Sequence, residues 1–398
     1  MAALHPDADM AAQLERTLIG AYVGAADLGE ALAVASRVEA GDYDAWHCEW
    51  RHAGEAAANQ ADKALKAGRT ALAARGYLRA AEYWRQSYFF LRQHLDDERV
   101  VDAYRHQRAA FRSALPYLPA DMTPIEIPYE DTPITGYLFQ PREASTPRPT
   151  VLLAGGFDST AEEVHKYGAW TALDLGWNVV TWDGPGQGEL LVEHHVPMRP
   201  DFEAVLTPIV DWARAQPNVD PRAVMLVGRS LGGFLAVRGA TAEHRIAALV
   251  LDPGQYDFTS RFVSLFSAED WQKILRADPE LDAKVAGFLD GARNQFFYGS
   301  RMAAMGATTF GEWLRILATY TIEGRAQQIT CPTLITEGEG DFASQSQKVY
   351  DELTCEKEFR ELPAAMGTGG HCCGLGQQIW QDVAFEWLAE VIDRRTPV

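Results

Sequence analysis

The stretch Val227-Gly228-Arg229-Ser230-Leu231-Gly232-Gly233 decides the fold. It carries G-x-S-x-G, preceded by an apolar, β-rich run at 223–227 and followed by a helical run at 234–242. In that setting a strained strand-to-helix turn presents a serine hydroxyl above a sheet, with the amino terminus of a helix behind it. Gly228 and Gly232 permit the turn, because a larger side chain would collide across it. Ser230 is the expected nucleophile.

A serine at its ordinary acidity attacks poorly and needs an imidazole base that a carboxylate orients. Only His244 and His371 follow Ser230. His244 is too close in sequence to fold back over the elbow. His371 closes the glycine-rich segment Gly367-Thr368-Gly369-Gly370-His371 beyond the last strand, where the base belongs. The acid should lie between them in the chain. The β run at 334–336 leads into Glu337-Gly338-Glu339-Gly340-Asp341, and Asp341 holds the favoured position, with Glu337, Glu339 and Asp252 as alternatives. A tetrahedral intermediate also needs hydrogen-bond donors for its oxyanion. Leu152-Leu153-Ala154-Gly155-Gly156-Phe157-Asp158-Ser159 leaves a strand through two glycines, so the backbone amides of Phe157 and Leu231 are the expected pair.

Outward from the elbow, short apolar runs at 150–154, 178–182, 223–227, 247–251, 333–336 and 358–362 alternate with helical stretches. Strands buried on both faces and separated by helices predict an α/β unit with a mostly parallel sheet. Further runs at 125–128 and 134–139 precede it. About 80 residues separate the strand ending near Asp252 from the next, with helical patterns at 268–275, 279–298 and 310–322. A loop of that length without structure is rare, so a helical insertion at about 255–328 is expected as a cap.

Residues 10–115 read differently. They are alanine-rich, contain no proline between Pro6 and Pro116, and repeat apolar positions at helical spacing, as in Trp46 and Trp50 or Ala81, Trp84, Tyr88 and Leu91. Four or five helices are expected, with Gly68 and Gly76 read as helix ends. Pro116-Tyr117-Leu118-Pro119 stops this pattern. The expected units are therefore an all-helical N-terminal domain at 1–118 and a catalytic domain at 119–398. The aromatic stripe Tyr77, Tyr83, Trp84, Tyr88, Phe89 and Phe90 is read mainly as core, with part of it lining a pocket.

The chain has 398 residues, 36 basic and 55 acidic, and a net charge of −19. Such a field repels phosphate backbones and anionic lipid, which argues against nucleic-acid or membrane partners. The N-terminal stretch lacks a signal-peptide pattern and no segment has 18 consecutive apolar residues, so a cytoplasmic location is expected. Cys48, Cys331, Cys355, Cys372 and Cys373 lack C-x-x-C spacing, and reduced thiols are expected. Asp183-Gly184-Pro185-Gly186-Gln187-Gly188 contains G-x-G without the third glycine and reads as a tight turn rather than a dinucleotide site. His47 with His52 and His194 with His195 lack metal-helix spacing. No metal or cofactor is expected.

Together these motifs resemble the α/β-hydrolase superfamily. Gly155-Gly156-Phe157-Asp158-Ser159-Thr160 followed by Glu162-Glu163, Gly228-Arg229-Ser230-Leu231-Gly232-Gly233, Glu337-Gly338-Glu339-Gly340-Asp341 and the preceding helices are similar to one branch in particular. It contains 2,6-dihydroxypseudooxynicotine hydrolase and the fungal pigment hydrolases that shorten polyketides. The resemblance implies an active site between the helical domain and the core, a homodimer, and an aromatic or polyketide-like small-molecule substrate. Asp158, Arg229, Tyr83 and Trp84 are the expected substrate contacts. The implied reaction is hydrolysis of a carbon–carbon bond beside a ketone, with ester or thioester cleavage, acyl transfer or cyclisation as the alternative. A histidine base must be neutral, so activity is expected to fall as pH drops through about 6.5.

Overall fold

The structure, a computed structural model, describes residues 4–142 and 146–395. Residues 1–3 of the expected helical unit and 143–145 and 396–398 of the expected catalytic unit lie outside the described residues. The N-terminal part forms α1 (Ala8–Ile19), α2 (Leu28–Ala35), α3 (Tyr43–Lys66), α4 (Thr70–Tyr88) and α5 (Glu98–Ala114). Asp7 caps α1 by accepting from the amides of Asp9 and Met10, which satisfies two donors that have no partner within the helix. Gly68 separates α3 from α4 at φ +72°, but Gly76 lies inside α4. A Cβ at Gly76 would stand 2.8 Å from that of Ala61 on α3. That glycine permits close helix packing and does not end a helix.

After the prolines the chain builds β1 (Asp121–Ile127), β2 (Ile134–Gln140), β3 (Arg148–Ala154), β4 (Asn178–Trp182), β5 (Val219–Arg229), β6 (Leu249–Asp252), β7 (Thr333–Gly338) and β8 (Lys357–Leu362). They form one sheet in the order β1-β2-β4-β3-β5-β6-β7-β8. The pairs β1–β2 and β2–β4 are antiparallel and the others parallel. Side chains alternate across a strand, and β3 shows the consequence: Val151 and Leu153 join one apolar cluster, Leu152 and Ala154 the other. The first cluster also takes in α1, α3, α4, α5 and the C-terminal helix Gln377–Arg395, so the N-terminal helices share a core with one sheet face. The second holds the helix after the elbow and most of the insertion.

The insertion is helical, with adjustments. Ala268–Leu275 forms as expected, whereas the pattern at 279–298 divides into Pro279–Val285, a 3-10 turn and Ala292–Ala304. Gly291, at φ +87°, makes that break in a conformation few other residues adopt. The third helix ends at Leu317, and Thr321 instead bridges Asp257 in antiparallel fashion. No described helix is long and apolar enough to cross a membrane.

Candidate active site

At the carboxyl end of β5, Ser230 has φ 56° and ψ −124°, a strained conformation for a non-glycine residue. Its neighbours show why the turn is glycine-rich. A Cβ at Gly228 would lie 2.2 Å from the Gly232 carbonyl oxygen, one at Gly232 2.2 Å from that of Ala154, and one at Gly233 2.0 Å from that of Pro253. The Ser230 amide donates to the Asp252 carbonyl at 2.8 Å. The elbow is thus wedged among β3, β5 and β6 by backbone contact.

The Ser230 Oγ lies 2.8 Å from His371 Nε2, and His371 Nδ1 lies 2.9 Å and 3.1 Å from the two Asp341 oxygens. Three residues distant in sequence therefore form one hydrogen-bonded chain. Asp341, fully buried at its side chain, also accepts from the amides of Ala343 at 2.8 Å and Cys372 at 2.9 Å. Burial pushes its carboxyl pKa up, but the bond and charge of His371 and these amides prevail and hold it below the ordinary value. For His371, burial favours the neutral ring, while the Cys372 sulfur, 3.6 Å from Nε2, and the Asp341 carboxylate outweigh it. The imidazole pKa stands well above its ordinary 6.5, which moves the expected acid limb upward. Of the other candidate acids, Glu339 accepts from the Ala364 amide, Glu337 from the Ser344 hydroxyl, and Asp252 faces Arg229. His244 bonds the Thr241 carbonyl at 3.1 Å, away from the elbow.

The loop carrying Phe157 lies directly beside the serine, since a Cβ at Gly156 would come within 3.1 Å of Ser230 Cβ. Gln187 Nε2 donates to the Gly156 carbonyl at 2.6 Å. Carbonyl and N–H point in opposite directions across a trans peptide, so this bond turns the Phe157 amide away from Gln187. The amides of Phe157 and Leu231 have no hydrogen-bond partner among the described residues. Gln187 is a residue that sequence reasoning missed, because Asp183-Gly184-Pro185-Gly186-Gln187-Gly188 signalled only a turn. Asp183 anchors that turn, accepting from Ala161 and Glu189 amides and from Tyr104 of α5, and burial with the neighbouring Glu162 pushes its pKa up to about 8.

Above Ser230 is a cavity of about 460 Å³, within the usual range for a small-molecule site. Its roof comes from α1 (Glu15, Arg16), from the 3-10 turn after α4 (Phe89) and from the insertion helix Ala292–Ala304 (Phe296, Phe297, Arg301). Phe157, Asp158 and Arg229 line it as well. Asp158 binds Arg16 at 2.6 Å and Arg92 at 3.2 Å, so its charge is spent on the roof. Arg229 donates to the Cys372 carbonyl at 2.7 Å, pairs with Asp252 at 3.1 Å and stacks 3.8 Å over Trp380, which fixes the loop that bears His371.

Tyr83 and Trp84 do not line this cavity, contrary to the sequence expectation. The Tyr83 hydroxyl binds Glu30 at 2.7 Å, and Trp84 stacks on His106 at 4.4 Å, so both rings are consumed inside the helical domain. The part of the stripe that reaches the cavity is Phe89, where α4 has already ended. The cysteines are free thiols. Asp341, His371 and Cys372 offer ligand atoms within 4.8 Å of one another, the only such metal-capable set among the described residues. A metal there would have to displace the hydrogen bonds between Asp341, His371 and Ser230.

An eight-stranded, mostly parallel sheet with a serine elbow defines an α/β hydrolase. Residues 39–263 match the model of the family described as "Esterase FrsA-like", and the chain belongs to that family. Among its relatives, "Hydrolase acrC" of Aspergillus aculeatus is 32% identical over 408 residues, covering 94% of each chain. The "20-hydroxy-prefusarin hydrolase FUS2" of Gibberella moniliformis is 33% identical over 332 residues, 80% of this chain and 78% of that one. In fold, the chain is similar to the crystal structure of 2,6-dihydroxy-pseudo-oxynicotine hydrolase, with a TM-score of 0.75 at 22% identity over 96% of this chain and 97% of the other.

Proposed function

We propose that the protein is a serine hydrolase that cleaves a carbon–carbon bond beside a ketone in an aromatic or polyketide-like substrate. The observation that carries this reading is the hydrogen-bonded series Ser230–His371–Asp341, at 2.8 Å and 2.9 Å, beneath an aromatic-lined cavity. In this mechanism His371 Nε2 takes the Ser230 proton as Oγ attacks the carbonyl carbon. The oxygen, now negative, is held by the Phe157 and Leu231 amides. His371 then returns its proton to the departing carbon, whose electron pair is carried as an enolate or by an electron-rich ring. Water, deprotonated by the same nitrogen, releases the acyl group from Ser230 as a carboxylic acid. Five phenylalanines in the lining, Phe89, Phe157, Phe296, Phe297 and Phe342, suit a flat, conjugated leaving group.

The second reading is ester or thioester cleavage, acyl transfer or cyclisation by the same residues, favoured by the esterase description of the matching family. Product analysis on 1-phenyl-1,3-butanedione and p-nitrophenyl butyrate separates the two. A carboxylic acid plus a shortened ketone from the diketone supports carbon–carbon cleavage. Turnover of the ester alone overturns it in favour of the second reading. Failure of a fluorophosphonate to label Ser230 overturns both. A homodimer in the cytoplasm belongs to the same proposal, and sedimentation of the purified chain tests the dimer.

A further inference from the structure

We infer that the substrate carries an anionic oxygen group, a carboxylate or an ionised enol, and that Arg301 is the residue that binds it. The inference rests on the reading of the cavity over Ser230 as the substrate site. In a chain of net charge −19, this cavity is lined by Arg16, Arg92, Arg229 and Arg301. The first three have carboxylate partners: Asp158 and Glu163 for Arg16, Asp158 for Arg92 and Asp252 for Arg229. Arg301 has none among the described residues. Its Nη1 donates to the Phe297 carbonyl at 2.6 Å, and its guanidinium lies 3.6 Å over the Phe297 ring and 5.5 Å from that of Phe157. Nε and Nη2 keep donors for the cavity.

Arg301 is half-buried; a guanidinium partly withdrawn from water without a counterion is costly, and a planar anion that takes its remaining donors relieves that cost. Burial lowers the Arg301 pKa to about 10, against the pull of Asp158, which leaves the group fully charged at neutral pH. The carboxylates nearest the cavity do not compete for it. Asp158 is shared by Arg16 and Arg92, and Asp9 is held by Arg293 at 2.6 Å. The Glu15 carboxylate, also in the lining, makes no ion pair with Arg301 or any other cation among the described residues, and burial raises its pKa. Arg301 also sits over the ring of Phe157, whose amide is the proposed oxyanion donor. An anion seated there places the substrate's charged end beside the reacting carbonyl.

The test measures binding to Ser230→Ala protein by calorimetry, with 4-phenylbutyrate, 2-acetyl-1,3-cyclohexanedione as the enolate, and the neutral 4-phenylbutyramide. At least one anion should bind tenfold or more tighter than the amide. Adding Arg301→Met should erase the difference, and Arg301→Lys should restore part of it. The anion that loses more on Arg301→Met identifies carboxylate or enolate as the source. Equal affinity for acids and amide, or a preference that survives Arg301→Met, overturns the inference. Labelling of wild-type Ser230 by a fluorophosphonate without any acid–amide difference would sink this inference alone. An intact difference without labelling would sink the proposed function instead.

Discussion

The floor and the roof of the cavity are built by different means. In the floor, glycines at 228, 232 and 233 bring elements together so closely that a single added carbon would collide with neighbouring backbone. The roof is held to the core by side chains: Arg16 of α1 reaches Asp158 and Glu163, and Lys166 reaches Glu82 of α4 at 3.0 Å. Backbone contact fixes positions to fractions of an ångström, which proton transfer and attack require. Ion pairs between long side chains can be exchanged for others without moving a strand. The proposed machinery for chemistry therefore rests on backbone contact, and the proposed surfaces for selection rest on exchangeable side chains.

Four substitutions sharpen that contrast. Ser230→Ala should lower turnover by a factor on the order of 10⁴ to 10⁶ with the melting temperature unchanged; near-normal turnover would remove the covalent scheme. Asp341→Asn comes next, with a loss of about 10⁴-fold in kcat. In the wild type, kcat/KM should decline on the acid side through a pKa above 6.5, because His371 must be neutral and its folded pKa is raised. The asparagine variant loses the charge that favours the imidazolium, so its acid limb should move to lower pH. A limb that stays in place would detach Asp341 from His371. Gln187→Leu should cost about 10²-fold in kcat with KM little changed, the price of one misaligned oxyanion donor.

Glu163→Gln should have the least effect on turnover and a clear effect on stability. The carboxylate is buried and faces Arg16, Lys166 at 3.1 Å and Arg85 at 3.6 Å, which hold its pKa well below the ordinary value despite burial. Neutralising it leaves buried cations underpaired and should cost about 3–5 kcal/mol, read as a lower midpoint in urea. Below that midpoint fluorophosphonate labelling of Ser230 should persist. Loss of labelling in folded Glu163→Gln protein would show that the floor depends on the roof.

The same contrast explains what was legible in the sequence. Ser230, Gly156, Asp341 and His371 stand in short glycine-bearing motifs at strand ends, where local spacing dictates backbone path. The sheet and its strands were legible because runs such as 150–154 and 178–182 are apolar on both faces. Arg16 and Arg301 come from separate helices and Phe89 from the turn after α4, and an amphipathic pattern does not distinguish a face that meets a core from one that meets a cavity. Tyr83 and Trp84 were chosen from the right stripe but the wrong turn of it. Gly76 was read as a break because glycine disfavours helix interiors, yet its missing side chain is what lets α4 approach α3. Gln187 acts through one bond to a carbonyl, and no pattern announces such a contact.

The hydroxyl of Tyr22 donates to the Leu375 carbonyl at 3.3 Å, joining the first helices to the loop just past His371. On the ribosome, Tyr22 must therefore wait for a residue 353 positions later before it has this neighbour. Domains made from contiguous chain can fold as they appear, but this pocket draws its lining from positions as far apart as Asp9 and Gln377. Enclosure of the chamber therefore waits until the segment bearing His371 has been made, and a chain stopped before it would display an elbow without its histidine.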